Sequence, residues 1–204
     1  MLRILGRTPS INVRKVLWTC DEIDIPYTQE DWGTGSRSTK EPEFLKLNPS
    51  ALIPVIVDGD FVLRESNTIT RYLINKQGRS DLLPIEAAAR AKVELWMDWQ
   101  ATDLNFAWVY AFLALVRKNP AYTRQEDIDA SIRKWTDMMV LLDGQLQKTG
   151  AYVVGDKFTA ADIPIGLSVA RWRRAPIPHP TLAAVDRYFD LLLKRPAFLP
   201  YDQD

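Results

Sequence analysis

Along the first third of the chain the spacing of apolar positions changes repeatedly. Residues 2–6 form a short apolar run with one basic residue, whereas Val13, Val16, Leu17, Cys20 and Ile23 recur at helical intervals. The change falls at Thr8-Pro9-Ser10, where the helix is capped either by Thr8, with Pro9 as first helical residue, or by Ser10. Residues 25–30 predict a second strand, and strand-helix-strand order implies a parallel pair. Periodicity weakens over 32–46, predicting a loop that carries an irregular helix near 42–47. Residues 52–57 and 61–63 flank Asp58-Gly59-Asp60, the signature of a hairpin. Pro54 cannot donate to a sheet ladder, so it belongs at the strand's first residue or edge, and a cis Ile53–Pro54 bond is one way to place it there. Ser66 is expected to cap a helix that buries Ile69, Tyr72 and Leu73.

A polar, glycine-containing stretch at 76–81 ends this alternation, and everything beyond reads as helix. The pattern divides the chain into an α/β unit over 1–77, a linker over 78–85 and an all-helical unit over 86–204. Within the last, residues 86–118 predict one long or broken helix and 123–149 a second. A third begins at Thr159-Ala160-Ala161-Asp162, where Thr159 can cap the amide three residues on and Asp162 can reach back. A fourth spans about 181–195, before Pro196.

Composition narrows the function. The 26 basic residues balance 26 acidic ones, so no net field draws the chain to nucleic acid or anionic lipid. Residues 1–6 run into the first strand without a charged and apolar leader, and the longest apolar run, 106–116, is about half a bilayer span, so neither a signal peptide nor a membrane segment is expected. One cysteine excludes an internal disulfide and a cysteine-built metal site, and suits a reducing cytoplasm; one histidine, His179, excludes a histidine metal cluster. A serine hydrolase is disfavoured as well, because Ser10 lacks a glycine-flanked elbow and His179 sits between prolines.

Four motifs in order, residues 10–16, 48–55, Glu65-Ser66 and 158–162, carry a resemblance to the cytosolic glutathione transferases over essentially the whole length. The serine register is similar to that of the theta, delta and phi classes and their bacterial relatives. The resemblance implies a thioredoxin-like first domain, an all-α second domain, a cis Pro54 and a two-fold homodimer. It further implies glutathione as co-substrate, no metal, and conjugation to small hydrophobic electrophiles, with peroxidase or dehalogenase chemistry as variants and detoxification as the setting. A non-catalytic interaction module of the same fold is the alternative.

Glutathione brings two carboxylates, an ammonium and a thiol, and the resemblance distributes them over this chain. Ser66 is expected to hold the glutamyl carboxylate, Glu65 the amine, and the backbone of Ile53 beside Pro54 the cysteinyl part. Arg37 or Lys40 is expected at the glycyl carboxylate, and Asp103 at the amine across a dimer interface. Ser10 would donate its hydroxyl hydrogen to the sulfur at a helix start, with Asn12 second in that role. A free thiol with a pKa near ~8.5 is roughly 3 % ionised at neutral pH, so full ionisation gains about thirty-fold. Trp108, Phe112 and Trp172, with Phe198 besides, are the electrophile-pocket candidates, although aromatic residues at helical spacing also make ordinary core. Arg171, Arg173 and Arg174 read as a solvated basic cluster, with attraction for anionic co-substrates as the other reading. Cys20 falls on the buried stripe and is expected to be inert.

Overall fold

The computed structural model describes residues 1–202. Strands β1 (Leu2–Leu5), β2 (Tyr27–Glu30), β3 (Val55–Asp58) and β4 (Phe61–Arg64) form one mixed sheet in the order β2-β1-β3-β4. β1 runs parallel to β2 and antiparallel to β3, and β3 and β4 form the hairpin around Asp58-Gly59-Asp60. Helix α1 (Ile11–Glu22) makes the crossover from β1 to β2. The short α2 (Pro42–Leu47) precedes the hairpin, and α3 (Ser66–Lys76) follows it.

Strand alternation sorts the core into two faces. Ile4 and Ile56, opposite one another across β1 and β3, pack with Val13, Val16, Leu17, Ile69 and Leu73 of α1 and α3. Leu5 and Val55, the next pair, bury the other face with Trp32 and Phe44, whose rings lie 5.1 Å apart.

The remaining helices are α4 (Ala87–Trp99), α5 (Asn105–Leu115), α6 (Gln125–Thr149), α7 (Asp162–Arg174) and α8 (Ala183–Leu192). This is the expected thioredoxin-like α/β unit followed by an all-helical one. The two meet at α1, because Trp18 is fully buried with its ring 4.7 Å from Phe198 and 5.7 Å from Phe158. Gly166 makes the approach of α7 possible: a Cβ there would stand 2.6 Å from Leu192 Cδ1 and 3.1 Å from Trp18.

Several boundaries differ from the periodicity reading, each for a local reason. β2 begins at Tyr27 and β3 at Val55, after the prolines at 26 and 54, and the Ile53–Pro54 bond is cis. Between α4 and α5 the helix widens into a π segment, Gln100–Leu104, which a 3.6-residue pattern does not reveal. At α7, the Asp162 carboxylate accepts from the Thr159 amide (2.8 Å), the Thr159 hydroxyl (3.1 Å) and the Val153 amide (3.0 Å). Thr159 therefore donates to Asp162 instead of capping the amide three residues on. Burial pushes the Asp162 carboxyl up to about 6. α8 starts at Ala183, later than predicted, where Asp143 of α6 accepts from the Ala184 and Val185 amides at 2.8 and 3.0 Å.

Candidate functional site

The turn between β1 and α1 begins at Gly6, whose φ of +151° and close neighbours explain the glycine. A Cβ at that position would fall 2.6 Å from Val13 Cγ2 and 3.2 Å from Ile53 Cβ. Gln29 of β2 steadies the turn, donating to the Gly6 carbonyl at 2.8 Å and to the Thr8 hydroxyl at 3.2 Å. Ser10 then stands at the N-cap with extended backbone, and its carbonyl accepts the first helical bond from Arg14 at 3.0 Å. Its side chain makes no capping bond. Of the two capping readings, Ser10 takes the position without the capping bond, and the hydroxyl stays available to the cavity it lines.

That cavity, about 370 Å³, lies between the two halves of the chain. One wall is Ser10, Ile11 and the Ala51–Leu52–Ile53 segment before the cis Pro54; the other is Phe112, Arg117 and Arg171 of the helical unit. Arg7, Gly33, Thr34 and Thr39 close one end. No carboxylate lines it among the described residues.

Two residues along α1, Asn12 lines a second cavity of about 350 Å³ together with Lys15, Glu65, Ser66, Arg71 and Asp98. Glu65, not Ser66, occupies the N-cap of α3, and its φ of +70° is a strained setting for a residue with a side chain. Ser66 is the first helical residue and is nearly buried; its hydroxyl lies 3.4 Å from Asn12 Oδ1. Lys15 is buried, donates to Gln100 Oε1 at 2.7 Å, and is pushed down to about 7 by burial and by Arg171, with Glu65 pulling the other way. Gln100, in the π segment, donates in turn to Ser168 of α7 at 3.1 Å. A polar chain thus ties α1, through the π segment, to α7.

The geometry separates the remaining sequence candidates. Arg37 donates to Glu43 of α2 at 2.6 Å and stacks 3.8 Å over Trp32, and Lys40 is exposed and does not line the cavity. Asp103 is exposed in the π segment and accepts from Thr102 at 3.0 Å. Phe112 lines the Ser10 cavity. Trp108 is packed behind it, and Phe198 is fully buried beside Trp18. Trp172 packs against Trp135 and His179, lining a separate pocket. Cys20 is fully buried and its thiol is pushed up to about 12, as an inert core residue requires.

Among the triplet read as solvated, Arg173 pairs with Asp186 and Arg174 with Asp202. Arg171 departs from that reading. It is only 4 % exposed, with its guanidinium 4.0 Å over Phe112 and 4.7 Å over Trp108. Arg7 and Arg117 were not singled out from the sequence either; no motif marks them, and their place on the cavity follows from the turn and from the end of α5.

Comparison with known proteins matches this geometry. The profile of the glutathione S-transferase N-terminal domain fits residues 6–81. The chain is 34 % identical over 199 residues to glutathione S-transferase GstB of Escherichia coli, covering 97 % of this chain and 95 % of that one. It is 32 % identical to glutathione S-transferase 3 of Zea mays, covering 97 % and 91 %. A theta-class glutathione S-transferase from Xanthomonas axonopodis pv. citri, solved with glutathione bound, superposes with a TM-score of 0.92 at 31 % identity, over 100 % of this chain and 97 % of that one. The similarity runs through both the α/β and the helical units, and the chain belongs to the glutathione S-transferase family.

Proposed function

We propose that the protein binds glutathione along the start of α1 and transfers its sulfur, as thiolate, to a small electrophile held in the Ser10 cavity. The observation that carries this reading is Ser10, which stands at a helix N-terminus, makes no capping bond with its side chain and lines the cavity shared by both halves of the chain. There it donates a hydrogen bond to the sulfur while the helix amides add positive potential, so the thiolate is favoured over the thiol. Ser10 acts as donor and forms no covalent bond. The Ile53 backbone before Pro54 pairs with the cysteinyl part, and Ser66 and Glu65 hold the glutamyl carboxylate and amine in the second cavity. With Arg37 committed to Glu43, Arg7 is the better-placed cation for the glycyl carboxylate. Acceleration beyond ionisation comes from holding the electrophile against the sulfur.

A role in detoxification in the cytoplasm belongs to the same proposal; among the described residues no helix is long and apolar enough to cross a membrane. Exposed Phe61 and Val62 on β4, with Leu95 on α4 and Phe106 on α5, supply apolar surface for a homodimer. The test is an ultraviolet difference titration of bound glutathione in wild type, Ser10→Ala and Asn12→Ala. The reading expects ionisation below neutral pH in wild type and a raised thiol pKa in Ser10→Ala. If Asn12→Ala alone raises it, Asn12 takes the role; if glutathione does not bind, the fold serves as an interaction module.

A further inference from the structure

Three arginines, Arg7, Arg117 and Arg171, line the Ser10 cavity. Arg7 runs along the loop after β2, with its Cδ 3.7 Å from the Cβ position of Gly33 and Nη1 3.8 Å from that of Gly35, so it belongs to the glycyl end. Arg117 and Arg171 come from the opposite wall. Arg117, just past the end of α5, donates from Nη2 to the Pro9 carbonyl at 3.1 Å, which fixes it one residue from Ser10. Arg171 is held by stacking on Phe112 and Trp108. Neither Arg7 nor Arg117 has a carboxylate within ion-pairing distance among the described residues.

Resting on the placement of the sulfur at Ser10, we infer that Arg117 and Arg171 form an anion-recognising subsite, and that the electrophile taken here carries a carboxylate beside a small apolar body. The apolar body meets Leu52 and Phe112, while the carboxylate meets the two guanidiniums. A planar guanidinium offers paired N–H donors matched to a carboxylate. Arg171 sits almost out of water, where such bonds are stronger than at an open surface. Recognition of a carboxylate discriminates between electrophiles, which a general attraction for the sulfur does not.

The test compares binding of S-(4-carboxybenzyl)glutathione and S-benzylglutathione by calorimetry, so no turnover is needed. Wild type is expected to bind the carboxylated conjugate about tenfold or more tightly, as a charge-assisted contact allows, and raised ionic strength narrows the difference. Arg117 is exposed, so Arg117→Gln leaves the core untouched; it is expected to remove most of the preference and to spare the affinity for glutathione itself. Arg171→Gln should act in the same direction. Equal or weaker binding of the carboxylated conjugate by wild type overturns the inference, as does an Arg117→Gln variant that loses affinity for glutathione and both conjugates by one factor. If neither glutathione nor either conjugate binds, it is the glutathione reading that has failed, and the subsite falls with it.

Discussion

Ser10 and Asn12 stand two residues apart at the start of α1, yet the cavities they line are built on different electrostatic plans. The Asn12 cavity mixes signs, with Lys15 and Arg71 against Glu65 and Asp98. Arg71 and Asp98 already pair at 2.5 Å. The Ser10 cavity has three arginines and no carboxylate among the described residues. A mixed wall suits a zwitterion, such as the glutamyl end of glutathione. A wall of one sign suits groups that are anionic throughout: the thiolate, the glycyl carboxylate and the anionic electrophile inferred above. The lesson is that one helix start can serve two ligand chemistries, because its successive residues face different neighbours.

The comparison breaks first at Glu65. If the mixed-sign cavity recognises a zwitterion, Glu65→Gln keeps the shape and removes the charge opposite the amine, weakening glutathione binding by roughly 10- to 100-fold. Calorimetry with glutathione reads this directly. The preference for the carboxylated conjugate should survive unchanged, since it belongs to the other cavity. A variant that binds glutathione normally would place the amine elsewhere.

Next in size is Ser10→Ala. At neutral pH the loss of the donor costs up to about thirty-fold in rate, the ceiling set by the ionised fraction of a free thiol. The deficit should shrink as pH rises past the ordinary thiol range, where glutathione ionises without help. A deficit constant with pH would mean that Ser10 orients the sulfur and does not ionise it. The pH–rate profile of the variant against wild type decides this.

These two cavities were not equally legible in the sequence. The α/β elements follow from local signals: a change of period, a proline at a strand start, a helix opening. Those signals left the cap of α1 open between Thr8 and Ser10 and pointed to Ser66 where Glu65 caps α3, while the cis Pro54 was implied by the resemblance. The π segment was hidden because five residues of wider helix barely disturb an apolar pattern. Arg171 was misjudged because its neighbours Arg173 and Arg174 do face carboxylates at the surface, and a run of basic residues carries no sign of which member turns inward. Arg117 follows the apolar end of α5, and only the docking of that helix against the β1–α1 turn brings it to Pro9. The resemblance offers Arg37 or Lys40 for the glycyl carboxylate, and the structure adds that Glu43 and Trp32 hold the Arg37 side chain. Changes of period and chain breakers were readable; a widened helix turn and the side-chain contacts that hold Arg37, Arg117 and Arg171 were not.

Lys15 offers the finest probe of the difference between the cavities, because it faces the mixed one while feeling Arg171 on the other. Its pKa of about 7 in the free protein lies well below the usual lysine range, chiefly through burial. An anionic carboxylate bound beside Ser66 favours the charged form and so raises that pKa. Between about 7 and the ordinary lysine range the complex then holds more protons than the free protein, and by linkage affinity falls as pH rises through that window. S-Methylglutathione, which has no thiol to ionise, isolates the effect. Wild type should bind it a few-fold, about threefold, more weakly at pH 8.5 than at pH 7, with uptake of less than one proton, whereas Lys15→Met should show neither the slope nor the uptake. Calorimetry in buffers of different ionisation enthalpy measures both. A slope retained in Lys15→Met would assign the proton to another group and leave the mixed-sign cavity electrostatically independent of its neighbour.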